Sequence, residues 1–404
     1  MALSRLRPSA LRPSVLWLPV AALAAVQGAF TFGWVVYGVH LPALLQQVNL
    51  PATAASTVLL VEALLAIALE PMIGQFSDRL TQRRGNRFPI IAVGVLLSAA
   101  LFILIPVLAR FGSQALLLTI LIIWAIGMSL VRTPAMALLR RYAHPVYLPI
   151  AASLLTLAIG LAGATKPFAA PLMTSLNVEV VSSLAAILLL LAGTALRSVN
   201  AAMVEVPTET AATPAPRLSI AQLGLFAAAG MMITLAFRVA IEIFPKVLKA
   251  QLPSVHPPVL VGLVFVAIAL AALPAGKLAL HWGNRRTMLL GLGGMGLCLL
   301  LLQWLQSSAV AVAIALGLGA TFALVTNGTL PWVFSQLQVS QAGLGVGMFF
   351  GGAAIATSLL NSPFTLWLTP NVGIGVAIAA LFFAGGCVAA SSIPEPGMGV
   401  QDSL

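Results

Sequence analysis

The chain is a succession of apolar runs, each about twenty residues long, broken by short polar connections. A helix needs roughly that length to cross the hydrocarbon core of a bilayer. Twelve such segments are expected, near 17–45, 54–74, 89–109, 114–139, 148–168 and 178–197, then near 218–249, 257–279, 287–306, 308–334, 341–367 and 371–390. Composition removes the soluble alternative. Only 7% of the residues are charged, against 60% hydrophobic, whereas a soluble domain carries about 25% charged residues. A surface so poor in charge needs lipid as its main solvent.

The longest polar stretch, RSVNAAMVEVPTETAATPAPR at 197–217, has the Pro, Thr and Glu content of a linker and falls near the middle. The expected organisation is therefore an N-terminal tail (1–16), a six-helix bundle (17–197), a linker (198–217), a second six-helix bundle (218–390) and a C-terminal tail (391–404). Three arginines precede the first apolar run, which imitates a signal peptide. The run continues past Ala22-Leu23-Ala24, so it is expected to be a first membrane helix.

The net charge of +11 is a pattern of anchors. With the N-terminus inside, thirteen arginines fall on the cytoplasmic side: Arg5, Arg7, Arg12, Arg79, Arg83, Arg84, Arg87, Arg140, Arg141, Arg197, Arg217, Arg285 and Arg286. Only Arg110, Lys246 and Lys249 fall opposite. That asymmetry is the positive-inside rule. It places both termini in the cytoplasm of a plasma (inner) membrane protein and removes the need for a nucleic-acid partner. Cys298 and Cys387 sit in apolar runs and are expected to be inert. His40, His144, His256 and His281 are scattered. No metal, catalytic or cofactor site is expected, and no enzyme. Gly291 to Gly296 fits a dinucleotide pattern but lies inside a membrane segment, where small residues serve close helix packing.

Residues 70–89, EPMIGQFSDRLTQRRGNRFP, interrupt the apolar sequence most sharply. They have an echo at 274–286, PAGKLALHWGNRR, in which Gly276 answers Gly74 and Gly283-Asn284-Arg285 answers Gly85-Asn86-Arg87. The echo is four residues shorter and has Leu280 in place of Asp78. A repeat at half the chain length suggests two related bundles around a central path. The expected fold is thus an all-α membrane protein with twelve transmembrane helices in two pseudo-symmetric six-helix bundles.

Twelve helices, a central linker and Gly-x-x-x-Asp-Arg after helix two resemble the major facilitator superfamily. The longer pattern G-x-x-S-D-R-x-x-x-R-x-G-x-R-x-P resembles its glycoside–pentoside–hexuronide:cation and sucrose:proton symporters. Glu70-Pro71-Met72-Ile73-Gly74 is similar to the acid before Pro-x-x-Gly in the melibiose-permease type. Sodium-using members place an Asp two residues before a proline in helix four. Here the matching stretch is Arg132-Thr133-Pro134, and a fixed positive charge there favours proton coupling, or none, over sodium. The resemblance also implies that helices one, four, seven and ten line the path.

Charges inside membrane helices are costly, roughly 2.5–3.5 kcal/mol each on insertion scales, so these should face inward. Glu70 and Arg132 lie at similar depth and are expected to pair, with Glu62 as an alternative partner two turns away. The pair either glues helices together or takes part in coupling. In the second reading, which is preferred, a carboxylate is ionised beside the arginine and takes a proton once left alone in apolar surroundings. Arg238 and Glu242, spaced i,i+4 on helix seven, are expected to compensate each other or to contact substrate. Lys166-Pro167 is expected to close helix five, with the lysine reaching the interface or the cavity. Gln27, Thr31, Trp34, Asn327 and Asn361 complete the candidate lining. A cytoplasmic gate is expected from Gly74, Asp78, Arg79, Arg83, Arg87, Gly276 and Arg285, stronger around helices two, three and eleven because the echo lacks the acid.

The expected function is secondary active transport of a small polar or amphiphilic solute, sugar- or glycoside-like, by a monomer in the bilayer working with protons. The alternative is a non-transporting or lipid- or pigment-handling relative acting in membrane-complex assembly, which would carry a lateral apolar opening between helices.

Overall fold

The computed structural model describes residues 15–202, 218–253 and 255–391. Nearly all of the expected tails and most of the expected linker, with Arg5, Arg7, Arg12 and Arg217, lie outside the described residues. Twelve helices are long and apolar enough to span a membrane: α1 Trp17–Gln47, α2 Ala54–Arg84, α3 Phe88–Ala109, α4 Gln114–Tyr142, α5 Pro145–Ser175, α6 Val178–Ala202, α7 Ile220–Gln251, α8 Pro257–Trp282, α9 Asn284–Trp304, α10 Ser308–Ser335, α11 Val339–Asn361 and α12 Pro370–Ala390. Apart from one bridge between Val15 and Ala143, the described residues hold no strand.

Several starts are written locally. Ser113, Ser307 and Thr369 accept from the backbone N–H three residues on, and Ser219 forms a reciprocal capping box with Gln222. Several ends differ from expectation. α2 runs ten residues past its apolar segment, so Asp78, Arg79 and Arg83 are helical rather than in a loop. The stretch is polar because the helix leaves the bilayer, and hydropathy does not register a helix in water. Arg83 and Arg84 complement the C-terminal carbonyls, and Gly85, at φ +70°, ends the helix in the left-handed region. In the shorter echo, Gly283 at φ +85° performs the turn between α8 and α9. α5 passes through Pro167 and Pro171 to Ser175 instead of closing at the first, since packed membrane helices tolerate interior prolines. α6 continues to Ala202, into the expected linker, and α11 stops at Asn361 before a separate 3-10 turn, Pro363–Trp367.

Within the first half α1 packs on α5 and α6, α3 on α4 and α6, and α2 on α4. Within the second, α7 packs on α11 and α12, α9 on α10 and α12, and α8 on α10. The pairing is the same with six added to each label. Each half has its own apolar core, and Leu330, Phe334, Ala342 and Val346 of the second half also join the first core. Across the halves two further equivalent pairs dominate, α2 with α11 and α5 with α8. Large apolar side chains such as Leu96, Leu191, Leu270 and Phe382 are exposed on the outside, as lipid-facing helices require.

Candidate functional site

The α2–α11 seam carries the buried charge. Gly343, Gly347 and Gly351 recur every four residues on α11, so they share one face. A Cβ at Gly343 or Gly347 would strike the backbone carbonyl of Gly74 or Glu70, and one at Gly351 would lie 3.0 Å from the Ile67 oxygen. The Ile67 carbonyl is the one that Pro71, lacking an N–H, leaves without its helical partner. This approach delivers one carboxylate of α2, Asp78, to the second half and buries another, Glu70, beside the seam.

Asp78 is the first. Its Oδ1 and Oδ2 accept from the backbone N–H groups of Gly343 and Leu344, at 2.9 and 2.8 Å. After a 3-10 turn at Val339–Gln341, these are orphan donors in the first turn of the α-helical part of α11, which begins at Ala342 and where negative charge is favoured. Arg87 approaches the same carboxylate at 3.3 Å. Gln82 adds a weaker cross-half bond to the Ser340 carbonyl, at 3.4 Å.

Glu70 is the second, roughly 12 Å deeper along α2. It is 2% exposed. Thr133 on α4 donates to its Oε2, and Arg132 Nη1 lies 3.9 Å from its Oε1. The Arg132 guanidinium sits over the ring of Phe350 on α11, 3.7 Å from the centroid, and 5.8 Å from that of Phe30 on α1. A cation against an aromatic face gains about 0.5–2 kcal/mol. The arginine therefore joins the acid of one half to an aromatic of the other.

The remaining sequence candidates divide. Glu62 does not reach Arg132. Tyr37 on α1 donates to its Oε1, and its Oε2 has no protein partner. Two turns of helix carry it past the arginine and into an aromatic cluster of Tyr37, Trp34, Trp124 and Phe102. Gln27 and Thr31 bond each other at 3.3 Å, while Trp34 belongs to that cluster. Asn327 is fully buried and donates to the Ala272 carbonyl at 2.6 Å, tying α10 to α8 rather than facing a path. Asn361 lies half-buried at the end of α11. Arg238 and Glu242 do not pair. Arg238 donates to the Thr357 hydroxyl at 3.0 Å, and Glu242 takes Lys246 at 3.1 Å. Acid-before-base is the better i,i+4 order on a helix, so the lysine wins the glutamate. Lys166 lies within electrostatic reach of Arg238 and Glu242 across the halves.

Of the gate candidates, Gly74, Asp78 and Arg87 meet at the seam. Gly276 serves the other seam, where its Cβ would lie 2.9 Å from Ser153 Cβ on α5. Arg285 donates to the Ala389 carbonyl on α12. Arg79 and Arg83 are exposed, with no ion pair among the described residues. Thr133, Phe30, Phe350 and the N–H groups of Gly343 and Leu344 were not legible as site groups. The one available signal was the Gly-x-x-x-Gly-x-x-x-Gly spacing at 343–351, which announces a close neighbour without naming it.

Residues 23–251, more than half of the chain, match the family described as the Major Facilitator Superfamily. The chain belongs to the major facilitator superfamily. Solved structures share its fold at low identity. The human organic anion transporter MFSD10 (TETRAN) has a TM-score of 0.69 and 14% identity, over 91% of this chain and 99% of that one. A bacterial homologue of the iron transporter ferroportin, in an outward-facing state, has 0.72 and 16%, over 92% and 98%. The proton:xylose symporter XylE, bound to 6-bromo-6-deoxy-D-glucose, has 0.65 and 13%, over 92% and 94%. As a superfamily member the chain is an integral, multi-pass membrane protein with a transporter fold, and the family points to movement of a small molecule rather than to catalysis.

Proposed function

We propose that this superfamily member is a secondary active transporter of a small polar or amphiphilic solute, working by alternating access with Glu70 as the proton-carrying group. The observation that carries the reading is the chain Thr133–Glu70–Arg132–Phe350. It places a buried carboxylate in contact with an arginine that also touches the opposite half. Separating α11 from α2 and α4 takes Phe350 from the arginine and changes the surroundings of both charges. A carboxylate that loses its cation partner in apolar surroundings takes up a proton, so proton uptake and rearrangement are linked. Arg132, standing where sodium-using sugar symporters carry an acid, favours protons over sodium. On the positive-inside pattern the arginine-rich end, where Asp78 holds α11, faces the cytoplasm of a plasma (inner) membrane. The protein then stands closed on that side and acts as a monomer.

For the solute, sugar- or glycoside-like compounds fit the resemblance of residues 70–89 to the sugar:cation branch. A specific observation favours a second class. Lys166, Arg238 and Lys246 outnumber the single acid Glu242 that shares their region. That surplus suits a solute bearing a carboxylate or another anionic group. A thermal-shift screen against sugars, glycosides, nucleosides and small carboxylates separates the two. A ligand found there goes into proteoliposomes with an imposed pH gradient. Glu70→Gln is expected to lose pH-driven accumulation while retaining counterflow exchange. Accumulation at the wild-type level in that variant would remove Glu70 from the mechanism.

A further inference from the structure

We propose that a cavity on the flank of the first half, away from the central seam, binds the phosphate head group of an anionic membrane lipid. The cavity has a volume of about 420 Å³ and lies at the arginine-rich end, between the start of α3, the end of α4 and the end of α6. Asn86, Phe88, Pro89, Arg141, Arg197 and Asn200 are among its walls.

Its chemistry is one-sided. The Asn86 side-chain oxygen is used, accepting from the Phe88 N–H at 2.8 Å. The Asn200 oxygen is used too, accepting from the Tyr142 hydroxyl at 3.1 Å. Each carboxamide oxygen thus already holds a donor, while both NH2 groups, without a protein partner among the described residues, remain to offer N–H donors. Asn200 is 7% exposed, so its amide is held within the wall. Arg141 and Arg197 supply two guanidinium groups, and neither has an ion-pair partner among the described residues. No carboxylate lines the cavity. Arg87, between Asn86 and Phe88 in the chain, pairs through Nη2 with Asp78, an acid that does not line the cavity. A pocket of two guanidinium forks and two amides, without a resident anion, matches a phosphate oxyanion.

The surroundings favour a lipid over free phosphate. The cavity sits where apolar helices give way to the arginine belt, the depth of phospholipid head groups. From its rim, Pro89, Val93 and Leu96 follow i, i+4, i+7 along one exposed face of α3. An acyl chain can lie along that face while its phosphate enters. Basic pockets between membrane helices on the cytoplasmic side recognise anionic head groups in this way.

The test uses the full-length protein in detergent. Binding is read by native mass spectrometry and by thermal shift with phosphatidylglycerol, phosphatidylcholine and inorganic phosphate as separate probes. Phosphatidylglycerol is expected to bind and stabilise, and the other two are not. The double variant R141Q/R197Q should weaken binding by about tenfold or more. The charge-matched R83Q/R84Q should leave it within about twofold. Ala201→Phe, which fills the cavity and keeps both arginines, should weaken it as well. Equal loss in R141Q/R197Q and R83Q/R84Q would mean general attraction to basic residues and overturn the site. Binding of inorganic phosphate as tight as that of the lipid would overturn the lipid assignment. Absence of phosphatidylglycerol binding to the wild-type protein would overturn it outright.

Discussion

The two seams that join the halves are equivalent by repeat and different in material. Along α2–α11, glycine backbone meets glycine backbone, and Asp78 and the Glu70-paired Arg132 act across the contact. Along α5–α8 the contact is mixed: a Cβ at Gly160 would lie 2.6 Å from the Ala269 backbone nitrogen, while Gly163 faces the Phe265 ring and Gly262 faces that of Phe168. Where the first seam has Asp78, the repeat has Leu280, and α5 opens on Pro145, which has no N–H to offer. One seam therefore has a carboxylate on helix-end donors, and on the proposed mechanism a change of charge there would release it. The other carries no ion pair among the described residues and is held by packing of backbone and rings, which lacks the directionality of hydrogen bonds. On the proposed mechanism α2–α11 would be the latch and α5–α8 the pivot.

The largest expected effect breaks the latch seam sterically. Gly74→Ala drives a methyl into the Gly343 carbonyl, which is backbone and cannot turn aside. The helices must separate, at a cost near the upper end of the 1–3 kcal/mol typical of overpacking. Transport, measured as counterflow in proteoliposomes, should fall roughly tenfold or more. Gly163→Ala meets only the edge of the Phe265 ring, which can rotate, and should lower counterflow by less than about threefold. Equal loss in both variants would mean that the seams are mechanically alike.

Next comes the release of charge. Asp78→Asn keeps one acceptor and loses the carboxylate that satisfies two N–H groups and Arg87, worth about 1–3 kcal/mol. In a background with Cys298 and Cys387 replaced by serine, a cysteine in place of Ser129, which is buried on α4 beside Glu70, should label from the arginine-rich end roughly tenfold faster. An unchanged labelling rate would leave Asp78 as a helix cap with no part in closure. Smaller still, Phe350→Ala removes the ring beneath Arg132 and forfeits about 1 kcal/mol. Labelling at the same cysteine should then rise about fivefold. The smallest effect belongs to Gln82→Ala at the rim of the same seam. Its bond is long and exposed, so the change should stay within about twofold.

The sequence resolved the fold further than the site. Twelve apolar runs and the echo of Gly74 in Gly276 were sufficient for the architecture, because the membrane imposes a length on each span and the repeat imposes a symmetry. Helix ends at the arginine-rich side were misjudged, since hydropathy measures where lipid stops and α2 continues for ten residues beyond. The Glu70–Arg132 contact was inferable from depth, because two opposite charges at one level in lipid have few other partners. Arg238 and Glu242 were mismatched because spacing ranks geometry alone. The presence of Lys246 on the favoured side of the glutamate decided the pairing.

The amino-acid pattern by itself therefore determined which segments enter the bilayer, how many there are, and that charge at Glu70 and Arg132 is kept from lipid. Solvent transfer fixes these, and it depends on each segment's own composition. Only the tertiary structure decided that Asp78 seats on the first turn of α11, that Phe350 backs Arg132, and that Glu62 turns to Tyr37. Those partners lie far apart in the chain, and which groups meet depends on how closely two glycine faces let their backbones approach.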